Sequence, residues 1–196
     1  MEMARNAQRR IAEEAAQFMV DGTETEYLYA KERAVLMLGL SSHARMPSNS
    51  TVKEYIERLA KLRLGEEEVH RRLCQMRQIA AQIMTLIEDY DPFLIGSTLS
   101  GAINEKSDID LHAYSDEFEI VKSLLADAGY RDIEEELIEN RKGSFIHLRF
   151  QQSRYTVEIT IYPWSWRDKI LNSSITGKAM KRASLAALKH LLRVAL

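Results

Sequence analysis

Apolar positions recur at helical spacing through most of the first ninety residues. Val69, Leu73, Met76, Ile79, Ile83, Leu86 and Tyr90 step by three or four, which draws one apolar stripe along a helix spanning about 67–90. Leu28, Ala34, Val35 and Leu38 predict a second helix over 26–39 that ends at Gly39. Residues 3–20 are rich in Ala, Gln, Arg and Glu and stop at Asp21-Gly22, as a helix of good formers does. Between these, Met46-Pro47-Ser48-Asn49-Ser50 is a loop, with Ser50 the expected N-cap of a helix running to about Leu62 and broken at Gly65.

At Asp91-Pro92 the period falls from 3.6 to two. Phe93-Leu94-Ile95, closed by Gly96, suits a buried strand. Over 108–114, Ile109, Leu111 and Ala113 face one way and Asp108, Asp110 and His112 the other. A helix is expected over 117–128 with Phe118, Val121, Leu124 and Leu125 inward and Gly129 as its stop. Strands are expected near 131–140, 144–151 and 154–162, with turns at Arg141-Lys142-Gly143 and Gln152-Ser153. A last helix over about 179–195 carries Leu185, Leu188, Leu191 and Leu192. The fold class is therefore α+β: an N-terminal helical region over 1–90, then a domain over 91–196 built on a small mixed β-sheet with a C-terminal helix.

Charge narrows the function classes. The 196 residues carry 27 basic and 29 acidic side chains, so the totals lack the basic excess of a general nucleic-acid binder. Cys74 is the only cysteine, which excludes an intrachain disulfide and favours a reducing compartment. The charged first thirty residues do not read as a signal peptide, and no apolar run approaches the roughly 20 residues a membrane helix needs. The expectation is a cytoplasmic protein with no membrane partner.

The informative stretch runs from Gly96 to Leu111. A glycine at a strand end lets the backbone turn sharply and lets a ligand approach closely. Ser97 opens an expected short helix over 97–103, where free N–H groups and a hydroxyl suit a phosphate. The chain then returns into a strand that presents Asp108 and Asp110 side by side. Adjacent carboxylates raise each other's pKa, and a divalent cation relieves that repulsion. Hard oxygen donors at this spacing suit Mg²⁺ or Mn²⁺, which also bridges nucleotide phosphates.

This stretch resembles the nucleotidyltransferase motif of the DNA polymerase β superfamily: Gly-Ser, three residues, Gly, five residues, Ser-Asp-x-Asp. Gly96, Ser97, Gly101, Ser107, Asp108 and Asp110 occupy its named positions. The loop length is similar to that of the minimal prokaryotic nucleotidyltransferases and their antitoxin relatives. The resemblance covers about residues 91–162. It implies nucleotide binding by Gly96, Ser97, Gly101 and Ser107, and a third carboxylate on a later strand. Glu158, in Tyr155-Thr156-Val157-Glu158-Ile159, is the best match, although Asp is commoner there in the family. The implied activity is transfer of a nucleoside monophosphate, AMP from ATP, to a hydroxyl with release of pyrophosphate. Asp108, Asp110 and Glu158 are then the catalytic and metal-binding residues. The acceptor is expected to be a small molecule or a protein hydroxyl rather than nucleic acid, and a second copy of the chain is a further candidate partner. The alternative is a nucleotide-binding regulatory or antitoxin-like module with little turnover. A plain alternative for the stretch itself is a solvated strand preceded by a tight loop.

Other residues say less. His112 reads as a half-exposed strand histidine, with a place beside the metal as the alternative. Glu134-Glu135-Glu136 reads as a solvated edge. Thr176-Gly177-Lys178, with Lys181 and Arg182, either holds a triphosphate or an acidic partner, or decorates the last helix. Trp164 and Trp166 seal the core edge or stack on a base, and Cys74 reads as a buried thiol.

Overall fold

The computed structural model describes residues 2–24, 26–140, 143–172 and 178–194. Its helices and strands follow the change of period in the sequence. Four helices come first: α1 (Glu2–Val20), α2 (Tyr27–Met37), α3 (Asn49–Leu64) and α4 (Glu66–Leu86). After a short 3-10 turn at Glu88–Tyr90 come β1 (Phe93–Leu94), α5 (Gly96–Ser100), β2 (Ile109–Tyr114) and α6 (Phe118–Asp127). β3 (Glu134–Asn140), β4 (Gly143–Gln152) and β5 (Tyr155–Tyr162) follow, then β6 (Ala183–Ser184) and α7 (Leu185–Val194). The class is α+β, as the sequence implies. No helix among the described residues is long and apolar enough to cross a membrane.

The chain divides into two compact units. One holds residues 1–69, 102–106 and 172–178. Its core is the small-residue face of α1 (Ile11, Ala12, Ala15, Ala16) against Ala30 and Ala34 of α2 and Val52 and Ile56 of α3. Alanine at these contacts lets helix backbones approach closely. The N-cap of α3 is Ser48, not Ser50: its Oγ accepts from the Thr51 N–H at 3.1 Å. Both serines fit the cap by type, and the half-turn of extended backbone after Pro47 decides for the earlier one.

The other unit holds residues 70–101, 107–171 and 179–196 and contains the sheet. Strand order is β3-β4-β5-β2-β1-β6, with β2 and β5 parallel and every other pair antiparallel. Ile109, Leu111 and Ala113 of β2 and Val157, Ile159 and Ile161 of β5 are all at most 2% exposed, so one face of the central strands is core. α4 contributes Met76, Ile83 and Met84 to the buried set, Ile87 follows just after its end, and α6 contributes Val121 and Leu125. β3 is an edge strand whose Glu134, Glu135 and Glu136 are exposed, and charge on an edge discourages pairing with other chains. The solvated reading of those three residues holds, with Glu135 accepting from Lys122 Nζ at 2.7 Å.

The C-terminal segment departs from expectation. The helix expected from 179 starts only at Leu185. Ala183 and Ser184 instead pair with Leu94 and Phe93 as a sixth strand. Ser184 then caps α7, its Oγ accepting from the Ala187 N–H at 3.4 Å. Lys181 and Arg182 therefore precede a strand and do not decorate a helix; Thr176 and Gly177 lie outside the described residues.

A candidate carboxylate site on the sheet

Period-two geometry puts Asp108, Asp110 and His112 on the face of β2 opposite the core. Parallel pairing with β5 then fixes what lies beside them. In register, Asp110 is opposite Glu158 and His112 opposite Thr160. β4 extends the same face, with Arg149 opposite Glu158 and His147 opposite Thr160. Strand spacing of about 5 Å brings these side chains within reach of one another.

The turn before β2 is built around this face. Ile95 N–H donates to Asp110 O at 3.0 Å, which ties the end of β1 to β2. Gly96 has a φ of +69°, and a Cβ there would stand 2.2 Å from Asp110 Oδ2. No other residue leaves that space free, so the glycine is dictated both by φ and by the carboxylate beside it. α5 is a single turn, shorter than the 97–103 expected, and Gly101 closes it at φ +81° with its N–H on Ser97 O at 2.9 Å. Thr98, fully buried, donates its hydroxyl to Asp108 O at 3.1 Å. From α4, Arg77 donates to Thr98 O at 3.1 Å through Nε and to Leu99 O at 3.0 Å through Nη2. These bonds hold the loop in place from behind. Thr98→Val keeps the shape and leaves the Asp108 carbonyl with one partner fewer. A loss of about 1 kcal/mol in denaturant unfolding is expected.

The electrostatics of the face are unbalanced. Asp110 is pushed up to about 7 by burial first, then by the charges of Asp108 and Glu158, with Arg149 opposing. No side chain among the described residues donates a hydrogen bond to its carboxylate. Asp108 is also raised, chiefly by burial and further by Glu158, while Arg149 and a hydrogen bond from Thr156 pull the other way. Glu158 is differently placed. Its Oε2 accepts from Arg149 Nη2 at 2.5 Å, and its Oε1 stands 3.3 Å from His147 Nδ1.

Two comparisons found nothing: no family model matches the chain, and no curated protein does. Solved structures match in part. A structure of Cid1 in complex with the UTP analog UMPNPP is 16% identical, over 46% of this chain and 30% of that one, at a TM-score of 0.34. A cytoplasmic RNA terminal U-transferase is 15% identical over 58% of this chain and 34% of its own, at 0.35. A GLD-2/RNP-8 complex is 15% identical over 56% and 40%, at 0.33. The matched regions thus span well under half of those proteins' lengths. A likeness this slight establishes no activity, and the chemistry must be read from this chain's own residues.

Those residues suit a divalent ion in a specific way. No three His, Cys, Asp or Glu side chains among the described residues are placed as a common cage. Mg²⁺, however, is commonly bound by one or two carboxylates, with water and substrate phosphate completing its shell. The donor set of Asp108 and Asp110 meets that requirement. The charge stress at Asp110, which Arg149 only partly offsets, is what a carboxylate pair without a cation shows.

The sequence missed Arg149 and His147. Their signal was the alternation of β4, where Leu148 and Phe150 are buried and His147 and Arg149 point to the Glu158 face. His112 is 3% exposed rather than half-exposed. β1 pairs it with Phe93, and Tyr162 packs edge-on at 4.9 Å. Burial, Arg182 and His147 push it down to about 4, so it stays neutral at physiological pH. Trp166 stacks on Tyr162 at 5.5 Å and sits under Gly143, which makes it an edge seal; Trp164 is 44% exposed. Cys74 is half-buried, its Sγ 3.6 Å from His70 Nε2. Arg182 lies 4.3 Å over the Phe93 ring and donates to the Tyr114 hydroxyl at 2.9 Å.

Proposed function

We propose that the region from residue 91 onward is a metal-dependent nucleotidyltransferase that moves a nucleoside monophosphate, AMP from ATP, to a hydroxyl acceptor. The observation that supports it most is the strand register that sets Asp110 beside Glu158, with the Gly96 turn packed against the Asp110 carboxylate. Asp108 and Asp110 would hold Mg²⁺ or Mn²⁺, whose chemistry is to neutralise the triphosphate and acidify the acceptor hydroxyl.

The remaining work falls to the chain. Gly96 lets the turn close against the Asp110 carboxylate, and the Ser97 hydroxyl beside it supplies a donor for a phosphate. Gly101 and Ser107 fix the ends of the loop. The acceptor oxygen forms a bond to the α-phosphorus as the bond from that phosphorus to the bridging oxygen breaks. Pyrophosphate leaves, and where a single metal is held Glu158 would take the hydroxyl proton. Most of the rate advantage in such a site comes from positioning and fixed charge.

A second reading, a nucleotide-binding module with little turnover, is favoured by one observation: both oxygens of Glu158 are engaged by Arg149 and His147. Incubation with α-labelled ATP and a panel of hydroxyl acceptors, read by mass spectrometry and by pyrophosphate release, separates the two. Label on an acceptor with equimolar pyrophosphate supports transfer. Nucleotide binding with no pyrophosphate on any acceptor supports the module.

A further inference from the structure

The sheet does not account for a basic cleft in the helical unit. Arg5 and Arg9 lie one turn apart on α1 and so share a face. Arg45 reaches the same cleft from the segment between α2 and α3, and the cleft lining includes Ser48, Thr51 and Tyr55. The cavity measures about 560 Å³, within the range of small-molecule sites.

Its walls are fixed. Gln8 Nε2 donates to Met46 O at 3.1 Å, and Lys31 Nζ donates to Asn49 Oδ1 at 2.7 Å and to Pro47 O at 3.4 Å. These bonds pin the loop that carries Arg45 onto α1 and α2. Tyr55 is held under the Arg58 guanidinium, 5.0 Å from the ring centroid.

The charge has no counterpart in the cleft. No Asp or Glu lines it, in a chain whose net charge is −2. Arg9 meets Glu13 only at 3.9 Å, with side chains 62% and 47% exposed, a contact of little strength. Three guanidiniums on one concave wall repel one another unless an anion sits among them. Their planar forks match phosphate oxygens two at a time, and the Tyr55 hydroxyl adds a further donor, while those of Ser48 and Thr51 bond each other at 2.8 Å.

We propose that this cleft is a binding site for a small oligophosphate-bearing molecule, independent of the transferase reading. The volume, about 560 Å³ in an open surface cleft, argues for a compact ligand. A nucleic-acid strand is held instead along an extended basic groove with aromatic stacking platforms, and the one aromatic ring here is already covered by Arg58.

The test is calorimetric titration of the full chain with inorganic tripolyphosphate, in EDTA so that no divalent ion loads the sheet carboxylates. Saturable one-to-one binding is expected. Arg45→Glu and Arg9→Glu should each weaken it by at least about tenfold, since each removes a charge-assisted hydrogen bond. Both positions are exposed, so the fold should persist, and Arg45→Gln provides a milder variant. Lys189→Glu on α7 should leave the affinity unchanged. Absence of saturable heat, equal affinity in the Arg45 variants, or binding of an oligonucleotide without binding of tripolyphosphate would each overturn the proposal.

Discussion

Asp110→Asn is expected to make the protein more stable and to abolish nucleotide transfer. The two effects share one cause. Folding buries the Asp110 carboxyl beside Asp108 and Glu158 and raises it to about 7. A group raised from an unfolded value near 3.8 keeps its proton in the folded state across that interval and loses it in the unfolded state. Stability therefore falls as pH rises from about 4 to 7, then stays at the lower level. Asparagine carries no charge to bury, so the variant should gain about 2–4 kcal/mol at pH 8 and nothing near pH 3.5. His112 runs in the opposite direction. Its folded value near 4 lies below the unfolded 6.5, so the stability it lends is complete above 6.5 and lost as pH falls toward 4. In the parent protein the two slopes largely cancel between pH 4 and 6.5. Asp110→Asn exposes the His112 slope, and urea unfolding across that range should show the variant losing stability on acidification. Transfer should fall by at least about a hundred- to a thousandfold, the cost of removing a fixed charge from such a site. A variant that is no more stable and still transfers nucleotide would contradict both halves.

Gly96→Ala is expected to damage fold and activity together. Alanine at φ +69° costs about 1–2 kcal/mol by itself. Its Cβ would also stand 2.2 Å from Asp110 Oδ2, so the carboxylate or the turn must move. A displacement of about 1 Å in a positioned group costs on the order of a hundredfold in rate. A double-mutant cycle separates the two contributions. With Asp110→Ala in place the opposing oxygen is gone, and Gly96→Ala should then cost only the backbone part, a coupling of roughly 1 kcal/mol or more. Equal destabilisation in both backgrounds would mean that the two residues do not meet.

The carboxylate face was legible in the sequence because strand alternation is strict. Ile109 and Leu111 inward place Asp108 and Asp110 together, and Val157 and Ile159 do the same for Glu158. The neighbour relation of the two strands is not a local property, yet the parallel register brought Asp110 and Glu158 opposite each other. What local pattern hides is partnership. Arg149 and His147 sit in an ordinary alternating strand, and only pairing with β5 turns them toward Glu158. β6 is two residues long within a run of helix formers, so propensity pointed to helix until pairing with β1 overrode it. His112 was misjudged because alternation tells which face a side chain takes, not whether another element covers that face.

The most direct measurement is Mn²⁺ binding followed by electron paramagnetic resonance, in the presence of ATP. The parent chain should remove Mn²⁺–ATP from solution saturably, and Asp108→Asn with Asp110→Asn should not remove it at the same concentrations. Equal binding by parent and double variant would show that these carboxylates hold no cation, and the transferase account would fail with them.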